Sequence, residues 1–177
     1  MLLSLLLSVL TLLQSKIATI QSLKVDFIQM VFTAQAHTAE KGVFYYKKGV
    51  GFRWDYYYPE RKIFWMKKDR VVEYFVDDKL ARMYSVEENF WILLEDPTQL
   101  LKRCEKVEEA EVRKGYFLFV ETREGRKIKI FLRRDLLPEE IVIDSESKFL
   151  FGRWQVNIKL EDSLFIPSLP PDVDVIN

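Results

Sequence analysis

The period of the apolar positions changes once along the chain. Near the start, Leu6, Leu10, Leu13, Ile17 and Ile20 recur at helical spacing, while Gln14, Ser15, Lys16, Thr19 and Gln21 lie off that stripe. This pattern predicts an amphipathic helix over Leu12–Leu23. From Lys24 the runs become short and alternating. Strands are predicted at Lys24–Thr33, Gly42–Lys48, Phe52–Tyr58, Lys62–Lys67, Val71–Val76, Leu80–Val86, Lys106–Arg113, Tyr116–Thr122, Lys127–Arg133, Glu139–Asp144 and Phe149–Glu161. Turn signals at Asp77-Asp78-Lys79, Arg123-Glu124-Gly125 and Asp135-Leu136-Leu137-Pro138 join them. An antiparallel meander is the expected topology.

In the last strand Trp154, Val156, Ile158 and Leu160 alternate with Arg153, Gln155, Asn157, Lys159 and Glu161, so one face is covered and one wet. The helical candidates for the cover are the N-terminal segment and the region Asn89–Lys106. The expected fold is therefore mainly β with helices (α+β): a curved antiparallel sheet of about eleven strands, with N-terminal and mid-chain helices against its concave side.

The segment Gly42–Pro59, GVFYYKKGVGFRWDYYYP, carries the densest patterning. Phe52, Trp54 and Tyr56 fall on one side of an extended chain, Arg53, Asp55 and Tyr57 on the other. Gly49-Val50-Gly51 suits a hairpin connection, and Pro59 ends the second strand because it cannot donate to the ladder. A band of rings of this kind serves either as core or as the wall of a cavity for something apolar. A charged pair is cheaper to leave in water than to bury, so Arg53 and Asp55 are expected outside and the rings inside.

Composition narrows the function classes. The 177 residues carry 27 Lys+Arg against 27 Asp+Glu, leaving no global field for a polyanion, so nucleic acid is not an expected partner. The doublets Lys47-Lys48, Lys67-Lys68 and Arg133-Arg134 are scattered among acids and read as solvated strand ends. Nothing marks a linker, so one domain over residues 1–177 is expected. Cys104 is the only cysteine and is expected to pack on the inner face of a short helix beginning near Pro97. The only histidine, His37, lies in the polar segment Ala34–Glu40, expected to be a loop. No metal-ligand spacing, phosphate loop or catalytic triad is present, and adjacent acids such as Glu139-Glu140 point to opposite strand faces. An enzyme is not expected, nor is a cofactor or a metal.

Met1–Leu13 is leucine-rich, too short for a comfortable membrane span and without a positive n-region or small-residue cleavage site. Residues 1–11 have the length of a signal-peptide core, although the signal is incomplete. A continuous helix accounts for the same residues.

Four segments together resemble a known family: Leu23-Lys24-Val25-Asp26-Phe27-Ile28-Gln29 after the helix, Gly42-Val43-Phe44-Tyr45-Tyr46-Lys47-Lys48, Phe52-Arg53-Trp54-Asp55-Tyr56 with Pro59, and Pro170-Pro171-Asp172-Val173-Asp174-Val175-Ile176. In order and spacing, from about Leu12 to the C-terminus, they are similar to the periplasmic outer-membrane lipoprotein carriers of the LolA family. The resemblance implies an unclosed β half-barrel, plugged by helices, that shelters lipoprotein acyl chains between the inner and outer membranes. Its acyl contacts would fall on Phe52, Trp54, Tyr56, Leu13, Ile17 and Ile20. Its implied partners are outer-membrane lipoproteins, an inner-membrane lipoprotein-releasing ABC transporter and an outer-membrane acceptor, and a periplasmic monomer is expected. An envelope sensor, or a carrier of another amphiphile, is the alternative use of the same fold. The family's arginine that ties this hairpin to the lid is replaced here by Lys48, followed by Gly49, which keeps the charge but loses the bidentate fork. No cysteine stands near the N-terminus where the sister receptor would carry its lipid, so a carrier fits better than an anchored receptor.

Overall fold

The computed structural model describes residues 2–34, 36–86, 95–96, 98–122 and 125–176. Helix α1 spans Leu2–Ala18 and is followed by β1 (Ser22–Phe32), β2 (His37–Lys47), β3 (Gly51–Tyr58), β4 (Lys62–Lys67), β5 (Arg70–Phe75) and β6 (Leu80–Ser85). A six-residue helix α2 (Thr98–Arg103) leads into β7 (Cys104–Ala110), β8 (Gly115–Glu121), β9 (Lys127–Arg133), β10 (Pro138–Ile143) and β11 (Ser147–Val156). A 3-10 turn at Asp162–Phe165 and strand β12 (Asp174–Ile176) complete the chain.

The strands form one twelve-stranded, unclosed sheet in the order β12-β6-β5-β4-β3-β2-β1-β11-β10-β9-β8-β7. This corrects the single meander. Two meanders, β1–β6 and β7–β11, meet where β1 pairs with β11, and β12 then adds parallel to β6 through Asp174, Val175 and Ile176.

Several boundaries also move. The helix ends at Ala18 rather than Leu23, because Thr19 and Ile20 close the last turn onto Lys16 and Ile17, and Leu23 enters β1. The expected loop at Ala34–Glu40 is strand from His37 onward, and the last strand stops at Val156 instead of Glu161. There the Asn157 backbone N–H turns to the Ser22 carbonyl. Cys104 opens β7 rather than lying on a helix, and burial pushes its thiol up against the lowering effect of backbone hydrogen bonds. Of the helical candidate Asn89–Lys106, α2 is described, while residues 89–94 and Pro97 lie outside the described residues.

By contact the chain divides into two units. The first comprises Met1–Ile20, Gln29–Thr38 and Phe90–Gly152. Its core takes Val9, Leu10 and Leu13 from α1 together with Leu118, Ile130 and Ile141 from the strands, all at most 5% exposed. Helix α1 packs on β7 and α2. Alternation in β8 and β9 directs these apolar residues to one face, leaving Lys127 and Lys129 on the other.

The second unit comprises Gln21–Ile28, Ala39–Asn89 and Arg153–Asn177. Both faces of its sheet are covered in part. On one face lie Leu23, Val25, Phe44, Tyr46, Phe52 and Trp54, all buried. On the other, Trp65, Tyr74 and Ala81 form a separate cluster against Leu169 and Val173 of the C-terminal segment. The sequence pattern does not foreshadow that second core, since residues 162–173 have neither helical nor strand period.

Candidate functional site

Antiparallel register sets the second unit's ring face row by row. Tyr46, Phe52 and Met66 lie side by side across β2, β3 and β4, and so do Phe44, Trp54 and Phe64. The next row is Gly42, Tyr56 and Lys62. Rings dominate the β2–β3 half. Phe44 and Trp54 have centroids 4.8 Å apart, Tyr46 stacks on Phe52 at 5.1 Å, and Phe52 stacks on Trp54 at 6.0 Å. Phe52 is 4% and Trp54 8% exposed, whereas Tyr56 is half-buried.

Gly42 is required by that packing. A Cβ there would meet both the Phe27 ring and the Asp55 carbonyl oxygen at 2.6 Å. The bare backbone lets Phe27 lie over it and meet Tyr56 edge-on at 5.0 Å. The motif glycine is thus explained by a ring that fills the space its side chain would take.

Toward β4, β5 and β6 the same face also carries charged groups, Lys62, Glu73 and Arg82, among Phe64, Met66, Val71 and Phe75. Lys62 pairs with Glu40 at 2.6 Å, with only 15% and 20% of the two side chains exposed, and its ammonium sits 4.6 Å over the Tyr56 ring. Glu73 lies opposite Phe64 on one side and Arg82 on the other. Burial raises the Glu73 carboxyl above the usual range, and Arg82 and Lys62 oppose that rise. Burial likewise raises the Tyr56 hydroxyl well above an ordinary phenol, with Glu40 and Glu73 adding to it. These ionisable groups were not singled out in the sequence. Their signal was present: Lys62, Glu73 and Arg82 occupy the in-facing parity of their strands.

The opposite face corrects the expectation that Arg53 and Asp55 stand in water. The pair closes at 2.5 Å with 17% and 28% of the side chains exposed. The Asp162–Phe165 turn covers it: Arg53 Nη1 donates to the Leu164 carbonyl oxygen at 2.9 Å, and Arg53 lies 5.3 Å over the Trp65 ring. Burying a charge is tolerable when it is paired and hydrogen-bonded, and this one is.

Lys48 is exposed in the turn after β2, and its backbone N–H donates to the Gln21 carbonyl oxygen at 2.9 Å. The neighbouring Lys47 holds the C-terminal segment directly, donating from Nζ to the Leu160 carbonyl oxygen at 2.7 Å and to Asp162 at 2.5 Å. Of the remaining named residues, Leu13 and Ile20 are buried in or next to the first unit's helix, and Ile17 is partly buried. Phe52, Trp54 and Tyr56 belong together in the second unit, while Leu13, Ile17 and Ile20 belong together in the first.

The sequence profile described as outer membrane lipoprotein carrier protein LolA matches residues 18–168. No curated protein sequence is significantly similar to the chain. Among solved structures, an uncharacterized conserved protein from Thermus thermophilus superposes with a TM-score of 0.61 at 11% identity, covering 96% of this chain and 97% of its own. A LolA superfamily protein from Nitrosomonas europaea gives 0.54 at 10% identity, covering 90% and 96%. MucB in the Pseudomonas aeruginosa MucA/MucB complex gives 0.51 at 13% identity, covering 90% of this chain and 59% of that one. At these identities the likeness is one of fold. Among the described residues no helix is long and apolar enough to cross a membrane.

Proposed function

The chain belongs to the outer membrane lipoprotein carrier protein LolA family, and on that premise we propose that it carries the acyl chains of lipoproteins through the periplasm, from an inner-membrane ABC transporter to an outer-membrane acceptor. The observation that carries this reading is the contiguous wall of buried rings Phe44, Tyr46, Phe52 and Trp54, on the sheet face opposite the Trp65 cluster. Aromatic walls provide large apolar contact at low side-chain entropy cost, which suits an aliphatic ligand. Burial contributes about 0.8 kcal/mol per methylene, so handover without a nucleotide requires that the acceptor offer comparable apolar contact.

In this reading Phe52, Trp54 and Tyr56 contact the acyl chain. Leu13, Ile17 and Ile20 are proposed, separately, as apolar contacts within the first unit, and residues 1–177 act as one monomeric carrier domain without enzymatic activity or cofactor. Lys48 is proposed to control release, in the role the family's arginine holds. Incubating the purified chain with a fluorescent diacylated lipopeptide and separating it by gel filtration tests the reading. One lipopeptide should elute with each chain, and Lys48→Leu should load equally but pass its cargo to acceptor membranes more slowly. Elution of all lipopeptide apart from the protein would remove the proposal.

A second reading draws on the MucA/MucB complex, in which a protein of the same fold engages a protein partner. An envelope sensor would bind a protein with no acyl requirement, and de-acylated peptide would then compete as well as acylated peptide.

A further inference from the structure

The ring face of the second unit carries a few charged groups among its apolar ones, and their composition selects a ligand. Reading across the sheet from Phe44 and Trp54, the row passes through Phe64 to Glu73 and Arg82, with Ile176 of β12 beside Arg82 at the edge. Strands lie about 4.8 Å apart, so Glu73 is roughly 10 Å and Arg82 roughly 14 Å from Trp54 along the row. Lys62, two residues from Phe64 along β4, anchors the patch through its pair with Glu40.

Three features bear on what such a patch holds. Glu40 and Glu73 balance Lys62 and Arg82, so the patch is formally neutral and a fully charged head group would meet one repelling group for each attracting one. It also offers both kinds of hydrogen-bonding partner. Arg82 is exposed, with its guanidinium 5.1 Å over the Phe75 ring and its donors available in a fixed fork, while Glu73 is an acceptor whose burial leaves it short of solvent. A peptide group supplies a carbonyl oxygen for Arg82 and an N–H for Glu73 together. An ester supplies the acceptor alone.

We infer that the Glu73–Arg82 patch, continuous with the aromatic rows, binds the peptide end of an acylated polypeptide by pairing with its first backbone amides. The assignment rests on the acyl-binding reading above. The rings would hold the chains without distinguishing one acyl compound from another, and the patch would select the compound in which a peptide follows the acylated residue. Without such partners the first amides beside a ring surface would lose water with nothing in return.

Three probes and one substitution test this. Affinity is measured for a diacylglyceryl-cysteinyl hexapeptide, for a diacylglycerol of the same chain length and for a pyrene-labelled alkane, on the wild type and on Arg82→Gln. Because Arg82 is exposed, the substitution should leave the unfolding midpoint unchanged, and Glu73→Gln serves as a second variant. The lipopeptide should lose about tenfold in affinity, the scale of one hydrogen bond to a charged group, while diacylglycerol and the alkane hold their wild-type values. An unchanged lipopeptide affinity in both variants, with the alkane still bound, overturns the inference and leaves the acyl reading standing. An equal loss for diacylglycerol assigns the patch to a glyceryl head and overturns it likewise. Failure of the wild type to bind any probe removes the acyl reading and this inference with it.

Discussion

Trp65 donates its indole N–H to the carbonyl oxygen of Leu164 at 3.2 Å, and by that bond the C-terminal segment is held across the outer side of β4. Arg53 donates to the same oxygen from β3. Two strands therefore grip one carbonyl in a four-residue turn, while Phe165 beside it is buried. Trp65→Phe removes one donor and also shrinks a buried ring, which together should cost about 2 kcal/mol. Arg53→Ala also removes the ion pair with Asp55 and the cation over Trp65, and should cost about 2–3 kcal/mol. Urea unfolding of the two variants measures both. Equal and negligible losses would mean that the segment is held by its other contacts, such as Lys47, Leu169, Val173 and the β12–β6 pairing.

The helix stripe does not bear its load evenly. Leu10 is 2% and Leu13 5% exposed, whereas Ile17 is only partly buried near the helix end. Leu10→Ala should therefore cost about 2–5 kcal/mol, and Ile17→Ala about 1 kcal/mol. Thermal unfolding of the two variants distinguishes them, and a larger loss for Ile17 would contradict the burial order.

Glu73 gives stability an identifiable pH dependence. Its folded carboxyl is raised above the ordinary value of 4.5, chiefly by burial, with Lys62 on β4 and Arg82 on β6 opposing. A raised acid holds a proton that the unfolded chain has already released. Its contribution is thus fully present below about 4.5 and is lost as pH rises through the folded value. Relative to Glu73→Gln, the wild type should lose stability across that window. Parallel unfolding midpoints from about pH 4 to about pH 8 show this as a changing separation between the two curves, and curves of constant separation would contradict it.

Much of the architecture was legible where short apolar runs had clear ends. Lys62–Lys67 and Lys127–Arg133 are strands with those same limits, because each is a short run of mainly apolar residues bounded by basic ones. The helix end was misplaced because Ile20 and Leu23 fit two periods at once: they continue the stripe at three-residue spacing, while Leu23 also begins the alternating set Leu23, Val25 and Phe27. Strand β12 has three residues and no period to read, so it appears only when β6 supplies its partner. His37–Glu40 is polar and reads as loop, yet it is strand, which composition alone does not reveal.

The candidate site was legible as far as parity goes. Phe52, Trp54 and Tyr56 share a face because their spacing is two, and no further information was needed. The cover over Arg53 and Asp55 was not legible, since it depends on residues 162–173 folding back over a distance of more than a hundred positions. The charged residues Lys62, Glu73 and Arg82 were legible by parity alone, and became one neutral patch with Glu40 only when register and the Lys62–Glu40 pair placed them together.

The central claim is that an acyl chain lies on the face carrying Trp54 and not on the face carrying Trp65. A diacylated lipopeptide brominated along its chains quenches tryptophan emission only at contact distance, so titrating it into the wild type, Trp54→Phe and Trp65→Phe locates the chain. The quench should be strong in the wild type, largely lost in Trp54→Phe and retained in Trp65→Phe. A quench that survives Trp54→Phe and vanishes in Trp65→Phe would put the acyl chain on the opposite face and contradict the account.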